Sequence, residues 1–179
     1  MYKIYMVGGA KGVGKTSLTT IVSLDLGLAR IETGRLLTEY FKDKPSIDFK
    51  EYVTQRILDN ERDLVLDTHF AQYSPYAEEN MPFERALNQE NLFGLAGKFD
   101  ISLCLLKLNP EELLKRRLND TKRRVIVPKL ILEELAFNQR ASEIYSAELD
   151  KPVFRLENND FIQTKLQIEE WITLLSRSK

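Results

Sequence analysis

The 179-residue sequence has one cysteine, Cys104, and one histidine, His69. A lone cysteine excludes an internal disulfide framework and any metal site built from several thiolates. Cys104 lies in an apolar run and reads as a small core residue. No apolar run approaches the roughly 18 residues of a membrane span. Neither charge dominates: 26 Lys and Arg face 27 Asp and Glu, for a net charge of −1. No global field therefore draws the chain to nucleic acid or anionic lipid, and such binding would need a local patch. The opening apolar stretch runs into Gly8-Gly9 and Lys11, which is not a signal-peptide pattern. Repeats, low-complexity tracts and linkers are missing too. With 43% hydrophobic and 30% charged residues the composition is that of a globular chain. It predicts one cytoplasmic domain over 1–179, with no membrane or nucleic-acid partner and an oligomeric state left open.

What is present alternates between two periods. Tyr2 to Val7 is a buried strand ended by Gly8-Gly9. Leu18, Ile21 and Val22 recur at helical spacing, and Gly27 suits a helix C-terminus. Leu28–Ile31 is a short strand. Leu36/Tyr40 and Leu37/Phe41 belong to a second helix, which stops before Pro45. Asp48-Phe49-Lys50-Glu51 has the form of a capping box and opens a third helix, with Phe49, Tyr52, Val53 and Ile57. Leu64-Val65-Leu66 is a buried strand ending at Asp67, whereas residues 71–90 show no clear period. Ile101–Leu108 is a strand buried on both faces. Asn109-Pro110 then caps and starts a helix. A long helix after Pro128 aligns Leu130, Phe137, Ala141 and Ile144. Val153–Leu156 is the last strand, and Ile168, Trp171, Ile172 and Leu175 form the stripe of a terminal helix. Such alternation implies an α/β fold, a parallel sheet with helices on both faces.

Only eight glycines occur, and four of them fall between positions 8 and 14. Gly9-Ala10-Lys11-Gly12-Val13-Gly14-Lys15-Thr16 is a full match to G-x-x-x-x-G-K-[ST], between a strand and a helix as that motif requires. Glycines let successive backbone N–H groups turn toward phosphate oxygens, and the helix adds its positive end. The loop through Ser17 is expected to bind ATP. Lys15 would reach the β- and γ-phosphates, and Thr16 would offer its hydroxyl to Mg²⁺. These features define a P-loop NTPase fold.

No N-K-x-D guanine loop occurs, and the chain is short for a motor or ring ATPase. A small kinase remains. Asp67, at the carboxyl end of its strand, can hold a Mg²⁺-bound water beside Thr16. Lys115, Arg116, Arg117, Lys122, Arg123 and Arg124 crowd ten residues, with Arg140 further on. Guanidinium groups suit the charge spread over a transferring phosphoryl group. A helix, a basic loop and a helix form a natural lid, over about 116–127.

The order of these motifs resembles archaeal-type adenylate kinases. Asp67-Thr68-His69 matches their tripeptide at a strand end. Arg116 to Arg123 is similar to their lid, Glu134 and Arg140 fit the next segment, and Leu156-Glu157-Asn158-Asn159-Asp160 resembles the strand and loop near the adenine. The resemblance implies a five-stranded parallel core and ATP-dependent phosphorylation of a nucleoside monophosphate, AMP foremost. Arg116, Arg123 and Arg140 would act with Lys15 on the phosphates. Thr33-Gly34, on acceptor-side helices over about 33–60, would hold the acceptor together with His69. Two departures stand out. Tyr73 lies near the position where the family has an arginine for the acceptor phosphate, and Arg35 replaces an acid after Thr33-Gly34. Arg35 is then the expected cation for that phosphate, with Arg85 or Arg30 in reserve. Two alternatives stay open: a kinase of another small acceptor, or an ATPase acting in assembly, whose basic cluster would touch RNA.

Overall fold

The computed structural model describes residues 1–73, 83–121 and 125–177. β1 (Tyr2–Gly8) forms the middle of a five-stranded parallel sheet. β2 (Ala29–Glu32) and β3 (Leu64–Asp67) lie to one side, β6 (Phe99–Lys107) and β7 (Val153–Glu157) to the other, in the order β2-β3-β1-β6-β7. Ile4 pairs with Leu64 and Ile101, and Val7 with Asp67 and Cys104. The inner strands read as unbroken apolar runs because both faces are covered. Alternate residues go to opposite layers. Ile4, Met6, Leu66 and Leu103 pack with Val53, Ile57, Leu92 and Tyr145. Tyr5, Val7, Val65 and Cys104 pack with Leu18, Val22, Ile168 and Ile172. Burial pushes the Cys104 thiol up to about 12, so it is an inert core group.

The connecting helices follow their local signals. α1 is Lys15–Asp25, α2 Thr33–Asp43 and α3 Phe49–Leu58. The Asp48 carboxylate accepts from the Glu51 N–H at 3.0 Å, as its capping box predicts. α5 (Pro110–Leu118) starts where the Asn109 side chain accepts from the Glu111 N–H. α7 (Phe161–Arg177) buries Ile168 and Ile172. Beside them Trp171 stacks on Phe154, with centroids 5.5 Å apart, and meets Tyr5 edge-on at 5.9 Å. No described helix is long and apolar enough to cross a membrane.

Three expectations need adjustment. The long strand begins at Phe99 rather than Ile101, because Tyr2 of β1 pairs with Phe99. The unassigned region contains a short antiparallel hairpin, β4 (Ala71–Tyr73) with β5 (Phe83–Arg85), followed by α4 (Gln89–Ala96). On α6 (Pro128–Leu149) the buried line runs through Ile131, Glu134, Asn138, Ala141 and Tyr145, and Ile144 is exposed. The polar members of that line are inward because backbone groups need them. Asn138 accepts from the N–H groups of Phe70 and Ala71 (3.1 and 3.2 Å) and donates to the Ala71 carbonyl (3.1 Å). Buried polar groups persist where they are paired in this way.

Candidate active site

The carboxyl ends of β1, β2 and β3 open onto one cavity of about 540 Å³. Its floor is the loop from β1 into α1. Gly12 and Gly14 have φ of 91° and 97°, in the left-handed region, where a Cβ would strain the backbone. A side chain at Gly14 would also collide with the Asn158 amide. Gly14 caps α1 without a side-chain bond, which leaves the N–H groups of the first turn to an anion. Lys15 is 5% exposed. Its ammonium donates to the carbonyls of Gly9 (2.7 Å) and Ala10 (2.8 Å).

Asp67, 3% exposed, lines the same cavity as Thr16. Its Oδ2 accepts from Thr19 Oγ1 (3.2 Å) and from Arg30 Nη2 (2.8 Å), and Oδ1 has no partner among the described residues. The β2–β3 register sets Glu32 directly beside Asp67. Two adjacent carboxylates would repel. Arg30 lies two residues before Glu32, hence on the same face of β2. Its Nη2 also donates to Glu32 Oε2 at 3.1 Å, and its Nε to Thr19 Oγ1 at 3.0 Å. One guanidinium thus bridges both acids. Thr16 and Asp67 are hard oxygen donors of the kind Mg²⁺ takes. Among the described residues no group of three acidic, histidine or cysteine side chains could hold a metal unaided. A metal here would draw its other ligands from nucleotide and water.

The remaining expected residues separate into those at the cavity and those away from it. Thr33, Gly34 and His69 line it. Thr33 Oγ1 donates to the Asp67 carbonyl at 3.4 Å and lies 3.3 Å from Thr68 Oγ1. His69 Nδ1 donates to the Gly9 carbonyl at 2.9 Å. Arg35 is not brought in. Its side chain is 79% exposed and pairs with Glu39 one turn along the same helix. Arg116 does not line the cavity; its Nη1 is 3.7 Å from where a Cβ on Gly14 would stand, and the side chain donates to the Asn158 carbonyl at 3.0 Å and to Glu112 at 3.3 Å. Arg140 is exposed on α6, opposite the buried line of Glu134 and Asn138, and does not line the cavity. Arg123, with Lys122 and Arg124, falls outside the described residues, as does the side chain of Tyr73.

Sequence reasoning missed a buried clamp behind the loop. Arg117, whose side chain is 1% exposed, donates Nε and Nη2 to the Lys11 carbonyl (3.0 and 2.6 Å) and Nη2 to Glu134 Oε2 (2.7 Å). Glu134 Oε1 accepts from the Lys11 N–H at 2.7 Å. Within a run of lysines and arginines nothing marks Arg117 as the inward one except its helical position. From the far side Asn158 Nδ2 donates to the Val13 carbonyl at 2.7 Å. The loop is therefore gripped by α5, α6 and the turn after β7.

No family model and no curated protein matches the sequence. Solved structures do match it. A shikimate kinase from Bacteroides thetaiotaomicron superposes with a TM-score of 0.60 at 15% identity, over 97% of this chain and 98% of its own. The shikimate kinase from Acinetobacter baumannii in complex with shikimate gives 0.59 at 18%, over 100% and 96%. The YorR protein from Bacillus subtilis in complex with phosphorylated GDP gives 0.63 at 13%, over 99% of each chain. At such identities the likeness establishes the fold: this is the α/β P-loop NTPase fold, with its five-stranded parallel sheet flanked by helices. The resemblance to archaeal-type adenylate kinases rests on the sequence motifs alone.

Proposed function

We propose that the protein is a small P-loop kinase that transfers the γ-phosphoryl group of ATP to a small acceptor. One observation carries the reading. The phosphate loop and the Asp67 carboxylate share one cavity with a second wall of carboxylate, hydroxyl, amide and apolar groups, which is room for a second substrate beside ATP. In this reading the triphosphate lies on the N–H groups of the loop and of α1, and Lys15 exchanges the Gly9 and Ala10 carbonyls for β- and γ-oxygens. Mg²⁺ would be held by Thr16 and, through water, by Asp67, where it would neutralise developing charge on the phosphates. Arg116 and the lid arginine Arg123 are proposed to stabilise the transferring group, and Arg140 to join them only if α6 presents it on lid closure. Two structural neighbours, bound to shikimate and to phosphorylated GDP respectively, support a two-substrate cavity.

A nucleoside monophosphate, AMP foremost, is the acceptor implied by the sequence motifs. Its support is that Thr33 of one motif and Thr68 of the other meet at 3.3 Å on the same wall. The test of the kinase reading is ADP formation from MgATP across a panel of acceptors. Lys15→Ala should abolish turnover while the variant keeps its far-ultraviolet circular dichroism. Turnover at the wild-type rate in Lys15→Ala would refute the loop's role. Slow hydrolysis that no acceptor accelerates would instead favour an assembly ATPase.

A further inference from the structure

The charge of the acceptor wall bears on which molecule the cavity takes. That wall consists of Glu32, Thr33, Gly34, Thr68, His69 and Gln72, with Leu37 and Phe49 as its apolar part, and His69 gives its Nδ1 to the Gly9 carbonyl of the phosphate loop. Lys11 and Lys15, the lysines of the cavity, both belong to the phosphate loop. Four cations of the surrounding elements are matched to carboxylates. Arg35 pairs with Glu39 and Lys50 with Glu84 (3.0 Å), and Arg85 binds Glu148 through both oxygens (2.8 and 2.7 Å). Arg30 serves two acids, Asp67 and Glu32. The N-terminus of α2 has Glu32 itself as its N-cap residue.

We infer that the acceptor is an uncharged alcohol, its hydroxyl held by Glu32, in place of the monophosphate that the sequence motifs imply or any other molecule presenting a phosphate or carboxylate to this wall. The inference rests on the kinase reading above. An anionic group here would lose water beside a carboxylate, with Arg30, Arg35 and Arg85 already neutralised, and both effects oppose binding. An alcohol meets the wall on its own terms. Glu32 Oε2 is fixed by Arg30, and Oε1 has no partner among the described residues, so it can accept an O–H. The Thr33 and Thr68 hydroxyls and the Gln72 amide can pair with further hydroxyls, and Phe49 and Leu37 can cover the carbon skeleton. In the transfer the acceptor oxygen forms a bond to the γ-phosphorus as the bond to the β–γ bridging oxygen breaks. ADP leaves with that bridging electron pair, and the hydroxyl proton passes to Glu32.

Matched pairs that differ only by an anionic group test this on the wild-type enzyme: adenosine with AMP, and sorbitol with gluconate, each with MgATP and ADP formation as the readout. The uncharged member of the pair that is turned over should have a kcat/KM at least tenfold higher. Glu32→Gln should lower that kcat/KM by about a hundredfold, within the usual range for a lost proton acceptor, with KM for ATP and the melting temperature unchanged. Preference for the charged member overturns the inference and leaves the kinase reading standing. So does turnover of neither pair by a protein that binds MgATP. A wild-type rate in Glu32→Gln removes Glu32 from the assignment. Failure to bind MgATP at all would instead refute the kinase reading beneath it.

Discussion

Arg30 shows how one side chain decides the state of a site. It is the counter-ion of a carboxylate that is almost wholly buried, and it also joins that carboxylate to Glu32, on the wall proposed to take the acceptor. Removing one partner of such a pair costs about 3–5 kcal/mol, because the other charge stays buried. Arg30→Met should therefore lower the melting temperature markedly. MgATP should recover more stability in this variant than in the wild type, since the metal supplies positive charge beside Asp67. Differential scanning calorimetry with and without MgATP reads both effects, and an equal ligand shift in the two proteins would contradict the metal's place at Asp67. Asp67→Asn keeps the size and removes the charge. Turnover should fall about 10–100-fold, as for a group acting on a metal through water, while ATP affinity measured in EDTA stays the same. Of these residues Asp67 was legible from its place at a strand end. Arg30 was not legible as its partner, because only the register between β2 and β3 brings them together.

At the scale of elements, α5 and α6 do more than cover the sheet. Arg117 from one and Glu134 from the other hold both backbone polar groups of Lys11, so the phosphate loop is positioned by the same helices that flank the segment proposed as a lid. Arg117→Leu leaves Glu134 charged and enclosed and should destabilise by about 3–5 kcal/mol. The double variant Arg117→Leu/Glu134→Leu should lose less than the sum of the two single changes, because it removes both charges. Urea unfolding of the four proteins measures this coupling, and strict additivity would mean that the clamp carries no energy as a pair. The strands and most helices were legible from period and caps, since local chemistry decides them: Asp48, Asn109 and the glycines of the loop act within a few residues. The face of α6 was misread for a nonlocal reason. Glu134 and Asn138 turn inward to satisfy Lys11, Phe70 and Ala71, and no apolar stripe records such partners. The β4–β5 hairpin was missed because three-residue strands are too short to show a period.

At the scale of the molecule, the phosphate loop, Glu32 and Asp67 stand at the carboxyl ends of three neighbouring strands, β1, β2 and β3. Nucleotide should therefore stabilise the whole fold through a few loops. At a concentration one hundred times its dissociation constant, MgATP adds about 2.7 kcal/mol, a rise of roughly 5–10 °C in a chain of this size. Lys15→Ala should abolish that rise. The acceptor side was the least legible part of the site, since the charge on its wall depends on which arginines are neutralised, and that is fixed by ion pairs between elements. The aromatic contact between α7 and β7 has a practical consequence. Trp171 is the sole indole of the chain, sandwiched against Phe154 and Tyr5 on the outer layer of the sheet and absent from the cavity lining. Its emission should stay constant through a nucleotide titration and shift to the red only as the helix layer comes off the sheet. The protein thus carries its own optical gauge of unfolding, insensitive to catalysis, against which every variant named above can be checked for intact structure before its rate is interpreted.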